Sequence, residues 1–127
     1  MAIELVGQVP CGGSHLSEAV RLQRLIDNKR NGNYASALLA DGTILVAHAD
    51  QYLHSEEYLL QAAADRKIVA VYSEREPCNT GHRCASQLEA AGIKNVSWSF
   101  KWNDIGDAGR DETTKQIAAE IKKLFNQ

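Results

Sequence analysis

The sequence predicts an α/β domain in three layers, with a mixed sheet between helices on both of its faces. Three observations support this prediction. An early pair of strands is joined by an Asp-Gly turn, a later pair is separated by a helix, and amphipathic helices precede and follow the strands. A tight turn makes its strands antiparallel, whereas a helix between two strands makes them parallel through a right-handed crossover. We therefore expect an N-terminal antiparallel hairpin and parallel later strands.

Length, charge and cysteine content limit the class of protein. The chain has 127 residues, which suits one domain, and we expect residues 1–127 to form a single unit. With 14 basic and 16 acidic side chains, the molecule lacks the overall basic charge of a sequence-reading DNA-binding module. Any nucleic acid would have to be held by a local patch. No segment approaches the roughly 20 apolar residues of a membrane span, so no membrane partner is expected.

The first half of the chain predicts a helix followed by a hairpin. Residues 1–13 are expected to be mostly irregular, and Ser14 can cap a helix that ends near residues 31–33. Its apolar residues keep helical spacing, and Arg24 is expected to point away from them: Leu16, Ala19, Val20, Leu22, Leu25 and Ile26. Residues 34–40 and 43–48 then form two strands, because Asp41-Gly42 can supply the positive φ angles of a two-residue turn.

The second half predicts alternating helices and strands. A helix begins near His54 and ends before residues 65–67, and the apolar run 68–73 predicts a central strand covered on both faces. Residues 83–91 predict a helix stopped by Gly92, and residues 96–102 predict another strand. Residues 103–109 are expected to form a loop before a closing helix over 111–125. The inward-facing residues of that helix are expected to be Ile117, Ala118, Ile121, Leu124 and Phe125.

Two short segments contain the residues with the clearest chemistry. His54 and Glu56 stand at a predicted helix start, and Cys78 and Cys84 follow the central strand. Imidazole and thiolate are ligands that zinc prefers, and a catalytic zinc site keeps its fourth position open for water. Because residues two apart do not share a helix face, His54 and Glu56 can serve one metal only if His54 lies at the helix mouth. Cys11, the remaining cysteine, is expected to be a free thiol.

This pattern, H-x-E followed by P-C and a second cysteine, resembles that of the cytidine deaminase superfamily. The order of helices and strands resembles that superfamily too, and the chain is similar to the deaminase domains of bacterial polymorphic toxins. The Cys78-x5-Cys84 spacing departs from the usual Cys-x2-Cys, and Gly81 makes the longer loop sterically accessible. The resemblance implies that His54, Cys78 and Cys84 hold Zn²⁺ and that Glu56 is the catalytic proton carrier.

The resemblance also implies a substrate and a biological role. The expected reaction converts cytosine to uracil in nucleic acid, with single-stranded DNA favoured and RNA or double-stranded DNA possible. Candidate substrate contacts are Asn33, Tyr52, Trp98 and Trp102 for the base, and His82 and Arg83, with Arg75, for phosphates. Each of these has packing or ordinary surface charge as its alternative. The implied protein is a monomeric, secreted effector domain acting in the cytoplasm of a recipient bacterium, with a cognate immunity protein.

Three alternatives remain open from the sequence. The chain could deaminate free nucleosides or nucleotides instead of a polymer. His82 could complete a closed structural zinc site with the three predicted ligands, which would have no catalytic role. Finally, the chain could lack catalysis, either as a binding module or with neither zinc nor function, in which case His54 is a surface histidine and the cysteines are ordinary core residues.

Overall fold

A computed structural model of the chain describes residues 7–8, 13–29, 32–50, 52–78, 84–93 and 95–125. These residues form five strands and four helices: β1 Gly7–Gln8, α1 His15–Asp27, β2 Tyr34–Leu39, β3 Ile44–His48, α2 Ser55–Ala63, β4 Ile68–Arg75, α3 Cys84–Ala90, β5 Asn95–Phe100 and α4 Gly106–Phe125. Within these ranges, none of the helices has both the length and the apolar character needed to cross a bilayer.

The sheet is mixed, as predicted, with strand order β1-β5-β4-β2-β3. Strand β2 is antiparallel to both β3 and β4, whereas β4 is parallel to β5 and β5 is parallel to β1. The core has two parts, one on each face of the sheet. The α1 face buries Leu16, Val20, Tyr34, Ala70 and Tyr72. The α2 and α3 face buries Ala35, Ala37, Leu59, Val71, Leu88 and Ile93. The prediction of helices on both faces is therefore confirmed.

The hairpin is confirmed, but its connection has three residues instead of two. The Leu39 N–H donates to the Thr43 carbonyl at 2.8 Å, and the Gly42 N–H donates to the Leu39 carbonyl at 2.9 Å. Only Gly42, with φ of 91°, has a positive φ in this turn. The Asp41 carboxylate instead accepts the Thr43 N–H at 2.9 Å, which stabilises a longer turn.

Two predicted helix boundaries are wrong. Helix α1 ends at Asp27, because Asn28 adopts a left-handed conformation with φ of 53° and terminates the helix. Helix α4 begins at Gly106, within the predicted loop, where Gly106 has a positive φ of 69° and Gly109 is accommodated inside the helix. Ala118, which was expected to face inward, is exposed, whereas Ile121 is buried.

Strand β1 falls in a segment that was predicted to be irregular. Gly7 pairs with Ser97 and Gln8 with Trp98, and the Gln8 side chain donates to the Ser99 carbonyl at 2.9 Å. A strand of two residues is too short to show an alternating pattern in sequence. Residues 1–6 and 9–12, which include Cys11, lie outside the described ranges.

Helix α1 buries an arginine that was predicted to point away from the core. Arg24 is 1% exposed and forms an ion pair with Glu74 on β4. In contrast, Leu22, Leu25 and Ile26 are 47%, 37% and 76% exposed, respectively. Apolar spacing could not reveal this orientation, because the carboxylate that compensates Arg24 lies fifty residues further along the chain.

Candidate active site

A small cleft opens at the C-terminal end of β4, where the chain leaves the sheet toward α3. It has an empty volume of about 310 Å³ and is lined by Asn33, Ala49, His54, Glu56, Arg75, Glu76, Cys78 and Trp102. Catalytic and binding residues commonly lie beyond the carboxyl ends of parallel strands. The cleft brings together six of the predicted site residues, namely Asn33, His54, Glu56, Arg75, Cys78 and Trp102.

His54 is the N-cap of α2, as the spacing of His54 and Glu56 requires. Its backbone is extended, with φ of −76° and ψ of 160°, and its N–H donates to Glu57 Oε1 at 3.0 Å. Glu57 Oε2 accepts a longer bond of 3.3 Å from Gln87 on α3. Glu57 therefore fixes the start of α2 and also connects it to the helix that begins at Cys84.

Glu56 lies in the first turn of α2 and is only 3% exposed. Three donors converge on its Oε1 atom: Ser73 Oγ at 2.7 Å, Asn33 Nδ2 at 3.1 Å and Ser55 Oγ at 3.1 Å. A buried carboxylate is costly unless it is hydrogen-bonded, and these bonds also restrict its rotation. Oε2 accepts none of the three bonds, so the carboxylate is held through one oxygen.

Asn33 connects all members of this network. Its amide nitrogen also lies 2.7 Å from Ser55 Oγ and 2.9 Å from Ser73 Oγ, and its Oδ1 accepts the Arg75 N–H at 3.0 Å. The amide of Asn33 is thus engaged with the protein, and its predicted contact with a base remains a prediction. Sequence reasoning missed Ser55 and Ser73. The sequence signal that could have indicated Ser73 is its position as a polar residue at the end of the apolar run of β4.

The first two predicted zinc ligands lie side by side. His54 Nδ1 and Cys78 Sγ are 3.7 Å apart. Tetrahedral zinc with ordinary Zn–N and Zn–S bonds would separate such a nitrogen and sulfur by about 3.6 Å. The donor types and their separation therefore fit a shared zinc ion.

The third predicted ligand, Cys84, is the first residue of α3, and the described part of the chain does not include its side chain. The Ala85 N–H donates to the Cys78 carbonyl at 3.0 Å, so the backbone returns to Cys78 immediately after Cys84. Among the described side chains, no group of three or more His, Cys, Asp or Glu residues could hold a metal ion. Ligation by Cys84 stays a prediction, and His82 and Arg83 lie outside the described residues.

The opposite wall of the cleft is the segment that follows β5. Glu76 Oε1 accepts the backbone N–H groups of Trp102 and Asn103, both at 3.1 Å. The Asn103 side chain donates in turn to the Pro77 carbonyl at 2.8 Å. These bonds hold Trp102 against the segment that leads to Cys78.

Two predicted base contacts lie away from the cleft. Tyr52 is 71% exposed, and Trp98 lies on β5 opposite Ser73. Neither side chain lines the cleft, and the buried Trp98 Nε1 has no hydrogen-bond partner within the described residues. Their contacts with a base remain predictions.

Asp50 organises the loop before His54. Its Oδ1 accepts the N–H groups of Tyr52 at 2.8 Å and Leu53 at 3.0 Å, while its other oxygen accepts the Tyr58 hydroxyl. The Tyr58 bond, followed by the two backbone bonds, lowers the pKa of Asp50. The same Asp50 bond raises the pKa of Tyr58 to about 12. The loop therefore remains fixed by an ionised carboxylate at neutral pH.

A wider groove continues from the cleft toward α4. It has an empty volume of about 1280 Å³ and shares Asn33, Ala49, His54 and Arg75 with the cleft. Its further lining includes Lys29 after α1, together with Thr114, Ile117, Ala118 and Ile121 on α4. An extended substrate could therefore continue past the cleft.

The mixed sheet and this cleft are consistent with a deaminase, the class of enzyme that hydrolyses an amino group from its substrate. Residues 30–124 match the family model described as Xanthomonas-like deaminase. Because the match covers most of the sequence, the chain belongs to that deaminase family. Comparison with curated proteins gave no match, and neither did comparison with solved structures.

Proposed function

We propose that this chain is a zinc-dependent cytosine deaminase that acts on nucleic acid, with the cleft as its active site. The principal supporting observation is the arrangement of Glu56 and His54. Glu56 is buried and held through one oxygen, two residues after His54, whose Nδ1 lies 3.7 Å from Cys78 Sγ. An acid beside a pair of zinc-type ligands is the arrangement that hydrolytic base deamination requires.

His54, Cys78 and Cys84 would hold the metal ion. A neutral imidazole and two thiolates balance the charge of Zn²⁺ and leave one position open. Bound zinc would supply a water whose pKa is lowered from about 9 toward about 7. Glu57, which accepts hydrogen bonds from the His54 N–H and from the Gln87 side chain, would hold the start of α2 in place relative to α3.

Glu56 would transfer both protons of the attacking water. It accepts the first proton as the water oxygen bonds to C4 of cytosine, and it donates that proton to N3. It then moves the remaining hydroxyl proton to the exocyclic amine, the C4–N4 bond breaks, and ammonia leaves. Cytosine and water thus give uracil and ammonia. Ser73, Ser55 and Asn33 hold Oε1 throughout, so that Oε2 can carry the proton.

The polymer and the biological role are part of the same proposal. Single-stranded DNA is the favoured substrate, and the groove beyond the cleft leaves space for a flanking nucleotide, which supports a polymer over a free nucleoside. RNA and double-stranded DNA are further possibilities. The resemblance to polymorphic toxin deaminases supports a monomeric, secreted effector that acts in the cytoplasm of a recipient bacterium. A cognate immunity protein would then protect the producing cell.

A substrate panel tests this proposal. Purified zinc-loaded protein is incubated with a single-stranded DNA oligonucleotide, an RNA of the same sequence, a DNA duplex and free cytidine, and uracil is quantified in each. We expect uracil to form in the single-stranded DNA oligonucleotide. If cytidine alone reacts, the enzyme is a nucleoside deaminase and the effector role is wrong. Sequencing the genome and transcriptome after brief expression tests the polymer in cells, where C-to-T changes are expected.

A further inference from the structure

Two arginine side chains stack on Trp102 at the edge of the cleft. The Cζ atoms of Arg75 and Arg110 lie 4.3 Å and 4.9 Å, respectively, from an indole ring centroid. Arg110 Nε also donates to the Trp102 carbonyl at 3.0 Å. Because Glu76 holds the backbone of Trp102, both guanidinium groups rest on a fixed platform.

Neither guanidinium group forms a close ion pair with a carboxylate of the described residues, although Arg75 interacts electrostatically with Glu74. No carboxylate oxygen of the described residues lies within 4.0 Å of the Arg75 or Arg110 side chain, whereas Arg21 and Arg24 both form ion pairs. The nearby Glu76 has Lys101 as its cationic neighbour, at 3.7 Å. Arg75 and Arg110 are both partly buried. Two partly desolvated positive charges on one ring are best stabilised by a bound anion.

We propose that Arg75, Trp102 and Arg110 form a phosphate-binding site for the phosphodiester beside the target base. This proposal rests on the proposed function and assigns the residues that bind the phosphate backbone of its substrate. A planar guanidinium group can bind two phosphate oxygens at once. Its attraction to phosphate does not depend on the base sequence of the nucleic acid. Arg75 lines both the cleft and the groove, so a phosphate bound there lies where the base and the flanking strand meet.

The positions of the two arginines also assign to Trp102 a role that differs from its predicted stacking on a base. Two guanidinium groups already occupy positions over its indole ring. Trp102 therefore positions the arginines, while the target base contacts other parts of the cleft. Lys29 lines the groove away from Trp102 and extends the positive charge along the path of a strand.

Kinetics with three substrates test the phosphate site: a single-stranded oligonucleotide with one cytosine, cytidine 5′-monophosphate and cytidine. We expect Arg75→Gln and Arg110→Gln each to raise KM for the oligonucleotide by about tenfold or more, since a bond to a charged group is lost. For Arg110→Gln, whose side chain lies outside the cleft lining, the kcat for the oligonucleotide and the kcat/KM for cytidine should stay within about twofold. Arg66→Gln is the matched control, because Arg66 is exposed, follows α2 and donates to the Ala62 carbonyl, and it does not line the cleft.

Binding without turnover separates this proposal from the catalytic one. Oligonucleotide affinity is measured by fluorescence anisotropy on Glu56→Gln protein over a range of salt concentrations. Each arginine replacement should reduce the slope of log affinity against log salt by about 0.7. Inorganic phosphate should also change the tryptophan fluorescence of the unsubstituted protein, a readout that does not depend on any variant folding.

Three outcomes would overturn the phosphate site. An equal loss of kcat/KM for cytidine and for the oligonucleotide would show that the arginines contribute to base binding or to folding and not to phosphate binding. An unchanged salt slope would exclude a phosphate contact, as would a tryptophan signal that inorganic phosphate does not alter. Normal salt-dependent binding without any deamination would instead contradict the proposed function and leave the phosphate site intact.

Discussion

Arg24 on α1 and Glu74 on β4 form a buried ion pair that holds the backbone on both sides of Asn33. Arg24 Nη2 donates to the Gly32 carbonyl at 2.9 Å, and Glu74 Oε1 accepts the Tyr34 N–H at 2.8 Å. Asn33 lies between these two residues and reaches Glu56. The ion pair is thus connected through Asn33 to the acid of the candidate active site.

This connection predicts that Arg24→Lys lowers kcat through Asn33. Lysine retains the charge but cannot bond Glu74 and the loop carbonyls simultaneously, so we expect the free energy of unfolding to fall by about 1–3 kcal/mol. We also expect kcat to fall severalfold while KM is unchanged. The measurement is a double-mutant cycle, in which Arg24→Lys has little further effect on kcat in an Asn33→Ala background.

Arg21→Lys serves as the control for this cycle. Arg21 lies on the same helix and pairs with Glu18, but both side chains are about one-third exposed, at 34% and 38%. Surface pairs of this type contribute little to stability. Fully additive losses of kcat for Arg24→Lys and Asn33→Ala would show that Arg24 does not act through Asn33.

The hydroxyl of Ser73 provides a second test. Ser73→Ala removes the 2.7 Å bond to Glu56 Oε1, and we expect about a tenfold loss of kcat with a loss of about 1 kcal/mol in stability. Ser73→Thr keeps a hydroxyl and should restore most of the kcat. The measurements are steady-state kinetics and urea unfolding.

Ser97→Ala is the matched control for Ser73→Ala. Both serines are fully buried on neighbouring strands, but the Ser97 hydroxyl has no hydrogen-bond partner within the described residues. Its removal should leave kcat unchanged and should not reduce stability. If both alanine variants lose kcat equally, the loss reflects packing and not the bond to Glu56.

Metal removal should destabilise the fold. A ligand that binds only the native state raises stability, so a strong chelator should lower the Tm and abolish deamination. Cys78→Ser should bind much less zinc, and its Tm should respond little to the chelator. Cys11→Ser, at a predicted free thiol, should behave like the unsubstituted protein. Full zinc occupancy in Cys78→Ser, measured by elemental analysis, would contradict ligation by Cys78.

The raised pKa of Tyr34 predicts that the free energy of unfolding decreases at alkaline pH. Burial, followed by the hydrogen bond to Asp27, raises the pKa of Tyr34 above its ordinary value of 10.0. In the unfolded chain the phenol ionises near its ordinary value, so the contribution to stability is present below about pH 10 and is lost above it. The loss approaches about 1.4 kcal/mol per pH unit until the folded-state pKa is reached.

The comparison of Tyr34→Phe with the unsubstituted protein isolates this contribution. Urea unfolding at pH 8 and pH 11 should show a smaller decrease in stability for the variant, because phenylalanine cannot ionise. The variant should be less stable at pH 8 by about 1 kcal/mol, since it lacks the bond to Asp27. Identical decreases in both proteins would show that Tyr34 ionises as freely in the fold as in the unfolded chain.

Local patterns predicted the framework of the fold and part of the site. The two-residue spacing of His54 and Glu56 required a helix start, and His54 is the N-cap of α2. The apolar run of residues 68–73 predicted a central strand, and β4 lies inside the sheet. These features depend on residues close together in sequence, where periodicity and capping chemistry act.

Contacts between distant segments could not be predicted in this way. The bond between Ser73 and Glu56 depends on how α2 packs over β4, and the burial of Arg24 depends on Glu74. Ser73 lies where the local pattern indicates an apolar residue, and Arg24 is buried where that pattern indicates exposure to solvent. A buried polar residue becomes predictable only when its partner is known.

The most direct test of the central claim compares zinc content and deamination in the unsubstituted protein and in Glu56→Gln. The account predicts that both bind one zinc ion per chain and unfold at similar temperatures. The unsubstituted protein should form uracil in single-stranded DNA and Glu56→Gln should not, whereas Glu89→Gln, at an exposed site on α3, should match the unsubstituted protein. Uracil formation by Glu56→Gln at the unsubstituted rate would contradict the account.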